Sequence, residues 1–140
     1  VRTRAGPPPV GEIRRLPGRS RDVLLVSFAS RPTRAFLRDP RGKARLARVG
    51  SRCLKALLKA PSPERSVSLG REFAEALDLV SPRARAALAL LGPLASASVA
   101  MLGDSVFAVE SAVSSAKARR LFPNAYVGAT RTSGQGARLL

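Results

Sequence analysis

At 140 residues, with 45% apolar composition, the chain can bury one core without disulfides or metal, and its lone Cys53 and lack of His exclude internal disulfides, imidazole catalysis and Cys-His or Ser-His hydrolysis. A net charge of +16 invites a nucleic-acid partner, but the arginines are spread over every segment and aromatics are only 4%, so no base-stacking surface is expected. No apolar run reaches membrane-spanning length, no leader pattern is present, and the scattered carboxylates offer no metal-ligand spacing.

Taken in chain order, Arg2 to Pro9 is basic and broken by proline, and Gly6-Pro7-Pro8-Pro9 must be extended. Val10 to Leu16 reads as an edge strand, so residues 1–21 form a lead-in to a domain spanning 22–140. Asp22-Val23-Leu24-Leu25-Val26-Ser27-Phe28 is nearly continuous in apolar character, which predicts a strand covered on both faces. Three helices follow, each announced by a capping side chain before proline: Asp39-Pro40, Ser62-Pro63 and Ser81-Pro82. The first presents Leu46, Val49, Cys53, Leu54, Leu57 and Leu58 at helical spacing, which makes Cys53 a buried small hydrophobe in a reducing compartment. The second presents Leu69, Phe73, Leu77 and Val80. The third is short, Ala-rich and closed by Gly92-Pro93.

Two apolar runs around Gly103-Asp104 predict a hairpin with strands at about 97–102 and 105–110. A helix near 113–121 and a strand at 125–131 complete the order strand, helical block, strand, strand, helix, strand. That order predicts an α+β fold, a ferredoxin-like split βαβ sandwich with a four-stranded antiparallel sheet and helices mainly on one face.

Three places carry candidate chemistry. Arg41, Arg45, Arg48, Arg52, Lys55 and Lys59 form a positive stripe on the first helix, read here as a solvated face. Arg31, Thr33 and Arg34 follow the strongest strand, where open sheets hold ligands, and the two arginines can clamp a carboxylate or phosphate. Gly103, Asp104 and Ser105 read either as a plain hairpin turn or as a loop whose amides face an anion.

Met101-Leu102-Gly103-Asp104-Ser105-Val106-Phe107-Ala108 resembles the third motif of the GHMP kinases, in the version found in their archaeal pantoate kinase branch. Gly6-Pro7-Pro8-Pro9-Val10-Gly11-Glu12-Ile13 resembles the segment where that branch enters its second half, and Gly136-Ala137-Arg138-Leu139-Leu140 resembles its ending. The resemblance implies the carboxyl-terminal domain of a kinase that moves the ATP γ-phosphate to pantoate in coenzyme A biosynthesis. In that family the phosphate loop and the Mg²⁺ ligands belong to the amino-terminal half, and no such loop occurs in this sequence. Asp104 and Ser105 stand where the wider family often has glycine, which points to substrate contact or loop support rather than amide contacts to phosphate.

The expectation is therefore a domain inactive by itself, with ATP and Mg bound by the full-length parent and none by this chain alone. Substrate contacts are assigned to Arg31, Thr33, Arg34, Gly103, Asp104 and Ser105, with no catalytic or metal residue in the chain. The expected partners are the amino-terminal half of the same protein and a small anionic substrate, in the cytoplasm. Neither membrane nor nucleic acid is expected, and a homodimer is left open. The opening on Val1 fits a fragment or a gene start placed at an internal codon. The competing reading is a basic ferredoxin-like module that binds nucleic acid or an acidic protein.

Overall fold

Apolar residues crowd the segment after Arg21, and there the chain forms its central strand. In the computed structural model, which describes residues 2–4, 12–13, 19–30, 40–91, 96–100 and 103–133, the order begins β1 (Arg2–Arg4), β2 (Glu12–Ile13), β3 (Asp22–Ser30). Then come the helices α1 (Pro40–Lys59), α2 (Pro63–Ala76) and α3 (Pro82–Leu91). The chain continues as β4 (Ser96–Ala100), β5 (Gly103–Val109), α4 (Ser115–Leu121) and β6 (Tyr126–Arg131). Of the strand predicted over Val10 to Leu16, only Glu12–Ile13 lies within the described residues, and this β2 pairs with β1 in a separate two-stranded ladder. The main sheet has four strands, all antiparallel, in the order β4-β5-β3-β6. This is the expected α+β, ferredoxin-like split βαβ sandwich.

One face of the sheet carries the core. Leu24 and Val26 sit opposite Ala108 and Val106 of β5, and Val26 also opposes Val127 of β6. Ala97 and Val99 extend this face onto β4, and α3 presses Ala84, Ala87, Leu88 and Leu91 against it while α4 adds Ala118. The small alanines let the helix backbones come close to the strands, so an aliphatic core fills without large aromatics. The other face departs from expectation. Val23 and Leu25 of β3 are only half-buried there, although the continuous apolar run predicts cover on both sides. Among the described residues their neighbours across the sheet are Val109 beside Val23 and Phe107 beside Leu25.

The proline-led helix starts hold. Ser62 Oγ accepts the Arg65 amide at 3.0 Å and Ser81 Oγ accepts the Ala84 amide at 3.0 Å. Asp39 lies outside the described residues, and α1 opens on Pro40. Ser114 caps α4 through the Lys117 amide at 3.2 Å, which sets that helix start two residues later than the sequence suggests. Free Cys53 is buried with Leu57 and Leu69 between α1 and α2, as its position on the apolar face predicts.

The end of the sheet where β3 begins is fastened by ion pairs. Arg21 reaches Glu64 of α2 at 2.5 Å and Glu110 at 3.0 Å, and Arg19 reaches Glu110 at 2.8 Å. Glu110 leaves β5 at a φ of 51°, a left-handed conformation that glutamate rarely adopts, with its amide bonded to the Asp22 carbonyl at 2.8 Å. Asp22 and Arg131 are register partners and also join through their side chains at 2.8 Å. That hydrogen bond and charge hold the Asp22 carboxyl below the usual carboxylate range. Glu64 is lowered too, first by its own backbone amide and then by Ser62 and Arg21.

Both carboxyls titrate lower in the folded chain than in the unfolded one. Their contribution is complete above the unfolded carboxylate range and disappears as pH falls through the lowered folded values. Urea unfolding midpoints should therefore be level near neutral pH and decline in the acid range, with a shallower decline in Asp22→Asn. An unaltered acid limb in that variant would remove Asp22 from the account. In the core, Leu88→Ala should cost about 2–5 kcal/mol in the same assay. Leu90→Ala, half-exposed on the same helix, should cost far less.

Candidate functional site

The opposite end of the sheet gathers the groups with chemical potential. β3 is nine residues long and β4 only five, so the seven-residue β5 must run past β4 to pair with the rest of β3. Gly103, Asp104 and Ser105 are consequently the first residues of β5, not a turn. Gly103 pairs with Ser30, Asp104 with Ala29 and Ser105 with Ser27. The connection between β4 and β5 passes through Met101 and Leu102, which lie outside the described residues.

A β-bulge between Ser27 and Ala29 leaves Phe28 as the extra residue on β3. Its ring packs against the core and meets Phe122 edge-on, with centroids 5.9 Å apart and planes at 86°. Ser27 and Ser105, paired in register, also share a hydrogen bond between their hydroxyls at 2.7 Å.

Asp104 is 3% exposed, and burying a carboxylate is costly unless both oxygens find partners. Both do. Ser81 Oγ donates to Oδ1, and Arg83 Nη2 lies 3.2 Å from Oδ2. Ser81 thus serves two functions, since the same oxygen caps α3. The guanidinium of Arg83 also lies over the Phe28 ring, 5.9 Å from its centroid. The motif's aspartate therefore does not bond its own backbone as a turn aspartate would. It ties the start of β5 to the start of α3.

Of the residues assigned to substrate contact, Gly103, Asp104 and Ser105 stand together at this end. Arg31, Thr33 and Arg34 fall within residues 31–39, outside the described residues. The arginine and lysine stripe on α1 is exposed along its length. Arg45 pairs with Asp78 at 3.2 Å and Arg52 with Glu72 at 3.1 Å, so part of the stripe is engaged with its neighbours, as a solvated face would be. Among the described residues, no His, Cys, Asp or Glu cluster could hold a metal ion, and no helix is long and apolar enough to cross a membrane.

Sequence reasoning missed Ser27, Phe28 and Arg83. For Arg83 a signal existed. A cation directly after the proline of a helix start opposes the helix dipole and calls for an anion brought from elsewhere, which Asp104 supplies. Nothing in the sequence marks the bulge beside Phe28 or places this ring beneath that arginine.

The chain matches no protein-family model and no curated protein. A solved structure described as "Phosphotransferase related to CoA biosynthesis pathway" is similar over 97% of the chain, with a TM-score of 0.71 and 25% identity. The match covers 48% of that phosphotransferase, so this chain spans about half its length.

Ser81→Ala removes the cap of α3 and a donor to a buried carboxylate together. It should lower unfolding free energy by about 1–3 kcal/mol, more than Ser105→Ala, whose partner Ser27 is only half-buried. Urea titrations of the two variants check this, and equal losses would show that Asp104 does not depend on Ser81.

Proposed function

We propose that the chain is the carboxyl-terminal half-unit of an ATP-dependent small-molecule kinase of GHMP type, which phosphorylates pantoate in the cytoplasm on the way to coenzyme A. The observation that carries this reading is the likeness of the fold, over 97% of the chain, to a phosphotransferase related to coenzyme A biosynthesis. The resemblance of Met101 to Ala108 to the third motif of the GHMP kinases supports it independently.

In such a transfer the substrate hydroxyl oxygen bonds to the γ-phosphorus, the bond to ADP breaks, and the hydroxyl proton leaves. The work is mostly positioning and charge stabilisation. The ATP phosphates and Mg²⁺ are held by the amino-terminal half, whose phosphate loop this sequence does not contain. The carboxyl-terminal half contributes the substrate side, with contacts to a small carboxylic acid assigned to Arg31, Thr33, Arg34, Gly103 and Ser105. Asp104 supports that surface from behind. The chain alone stabilises no developing phosphoryl charge and has no kinase activity.

The test is ADP release with pantoate as acceptor, measured on the 140-residue chain and on a polypeptide that joins it to a GHMP amino-terminal half from its own reading frame. Turnover is expected only from the joined polypeptide. Activity of the short chain, surviving repurification, would overturn the half-unit reading. Failure of the joined polypeptide with pantoate but success with another hydroxy acid would overturn the substrate. Failure with every acceptor would overturn the kinase.

A further inference from the structure

Arg83 is the second residue of α3, where the positive end of the helix dipole disfavours a cation. Two contacts hold it there. Asp104 Oδ2 takes one edge, 3.2 Å from Nη2, and the Phe28 ring lies under the guanidinium, itself fixed edge-on against Phe122. Asp104 is anchored in turn by Ser81 and is 3% exposed. The Arg83 side chain nevertheless remains 65% exposed. A guanidinium has five donors in a rigid planar fork, and a single carboxylate oxygen leaves most of that fork open. Neutralising Asp104 engages one edge of the group; the outer edge, above the Phe28 ring, stays open to solvent.

We propose that Arg83 is an oxyanion-contacting residue of this site and that Asp104 is a positioning residue acting through it. The ligand group is a carboxylate or a phosphate, taken by the open edge of the fork, for which a held guanidinium is better shaped than an ammonium. Asp104 stands behind the arginine because its oxygens are already engaged, and a carboxylate set against an anion would repel it. The identity of the oxyanion rests on the kinase reading above; the geometry of the arginine does not.

The experiment measures binding of inorganic phosphate to the 140-residue chain and follows the nitrogen NMR shift of Arg83 Nε. Phosphate should move that resonance. Arg83→Ala should weaken phosphate binding about tenfold in protein shown to be folded by circular dichroism, since it also removes the partner of Asp104 Oδ2, and Arg83→Lys, which keeps charge and loses the fork, should restore only part. Asp104→Asn separates positioning from mere proximity. Removing a nearby negative charge would tighten phosphate binding, whereas loss of positioning weakens it, with no further loss in the double variant. If Asp104→Asn does not fold, the two Arg83 variants and the Nε shift still decide.

In the joined polypeptide, Arg83→Ala should raise one KM while kcat stays within about twofold. A rise for the acid assigns a carboxylate, and a rise for ATP assigns a phosphate. Unchanged phosphate affinity in Arg83→Ala would overturn the proposal, as would a loss matched by Arg120→Ala, which reports only general charge. Arg83-dependent phosphate binding with no turnover by the joined polypeptide would sink the kinase reading and leave Arg83 assigned.

Discussion

A carboxylate at 3% exposure has to be satisfied from within the protein, and the way Asp104 is satisfied organises one whole end of the molecule. Its side chain can reach Ser81 only because β5 extends past β4 and because the bulge at Phe28 sets Asp104 opposite Ala29. Phe28, on the same face of β3 as Leu24 and Val26, packs its ring against the core and provides the surface over which Arg83 lies. Ser81 can serve the carboxylate and the helix cap together because a hydroxyl donates one bond while accepting others. Sheet register, helix start and arginine orientation are thus settled by one buried charge.

Much of the fold was legible in the sequence because its signals are local. Proline after serine marks helix starts with little competition, and the period of the apolar residues separates α1 and α2 from the strands. What escaped depends on strand lengths. The pair Gly103-Asp104 carries turn chemistry, and only the demand of nine-residue β3 for a partner draws it into a strand. Likewise the run Val23-Leu24-Leu25-Val26 gives no hint that Phe107 and Val109 stand beside Leu25 and Val23 on one of its faces. The candidate site was visible as a motif and not as an assembly. Asp104 was found, while Arg83 and Phe28, distant in sequence, become relevant only once the sheet and the start of α3 are brought together.

The charge balance takes on a different meaning once the pairs are seen. Asp22, Glu64, Glu72, Glu75, Asp78, Asp104 and Glu110 each meet an arginine, and none of these pairs uses lysine. Most of them are exposed and contribute little to stability individually. Their value is in placement: Arg21 gathers the chain before β3, the start of α2 and the end of β5, and Arg131 closes β6 on β3. Asp104 differs from all of these in being buried, and its arginine differs in lying over an aromatic ring.

That difference bears on how a chain with a net charge of +16 can be selective at all. A broad positive field draws any anion, and salt screens it over about 10 Å, so attraction alone cannot distinguish a small acid from a nucleic acid or an acidic protein. The exposed arginines and lysines of α1 contribute to this generic pull, and where they are paired, as Arg45 with Asp78 and Arg52 with Glu72, it is with exposed carboxylates. An arginine with a buried carboxylate at one edge and a ring beneath it has fewer orientations open to it, so a ligand that meets its outer edge has less disorder to remove. Selectivity for a planar oxyanion then follows from the forked donors of that guanidinium rather than from charge alone.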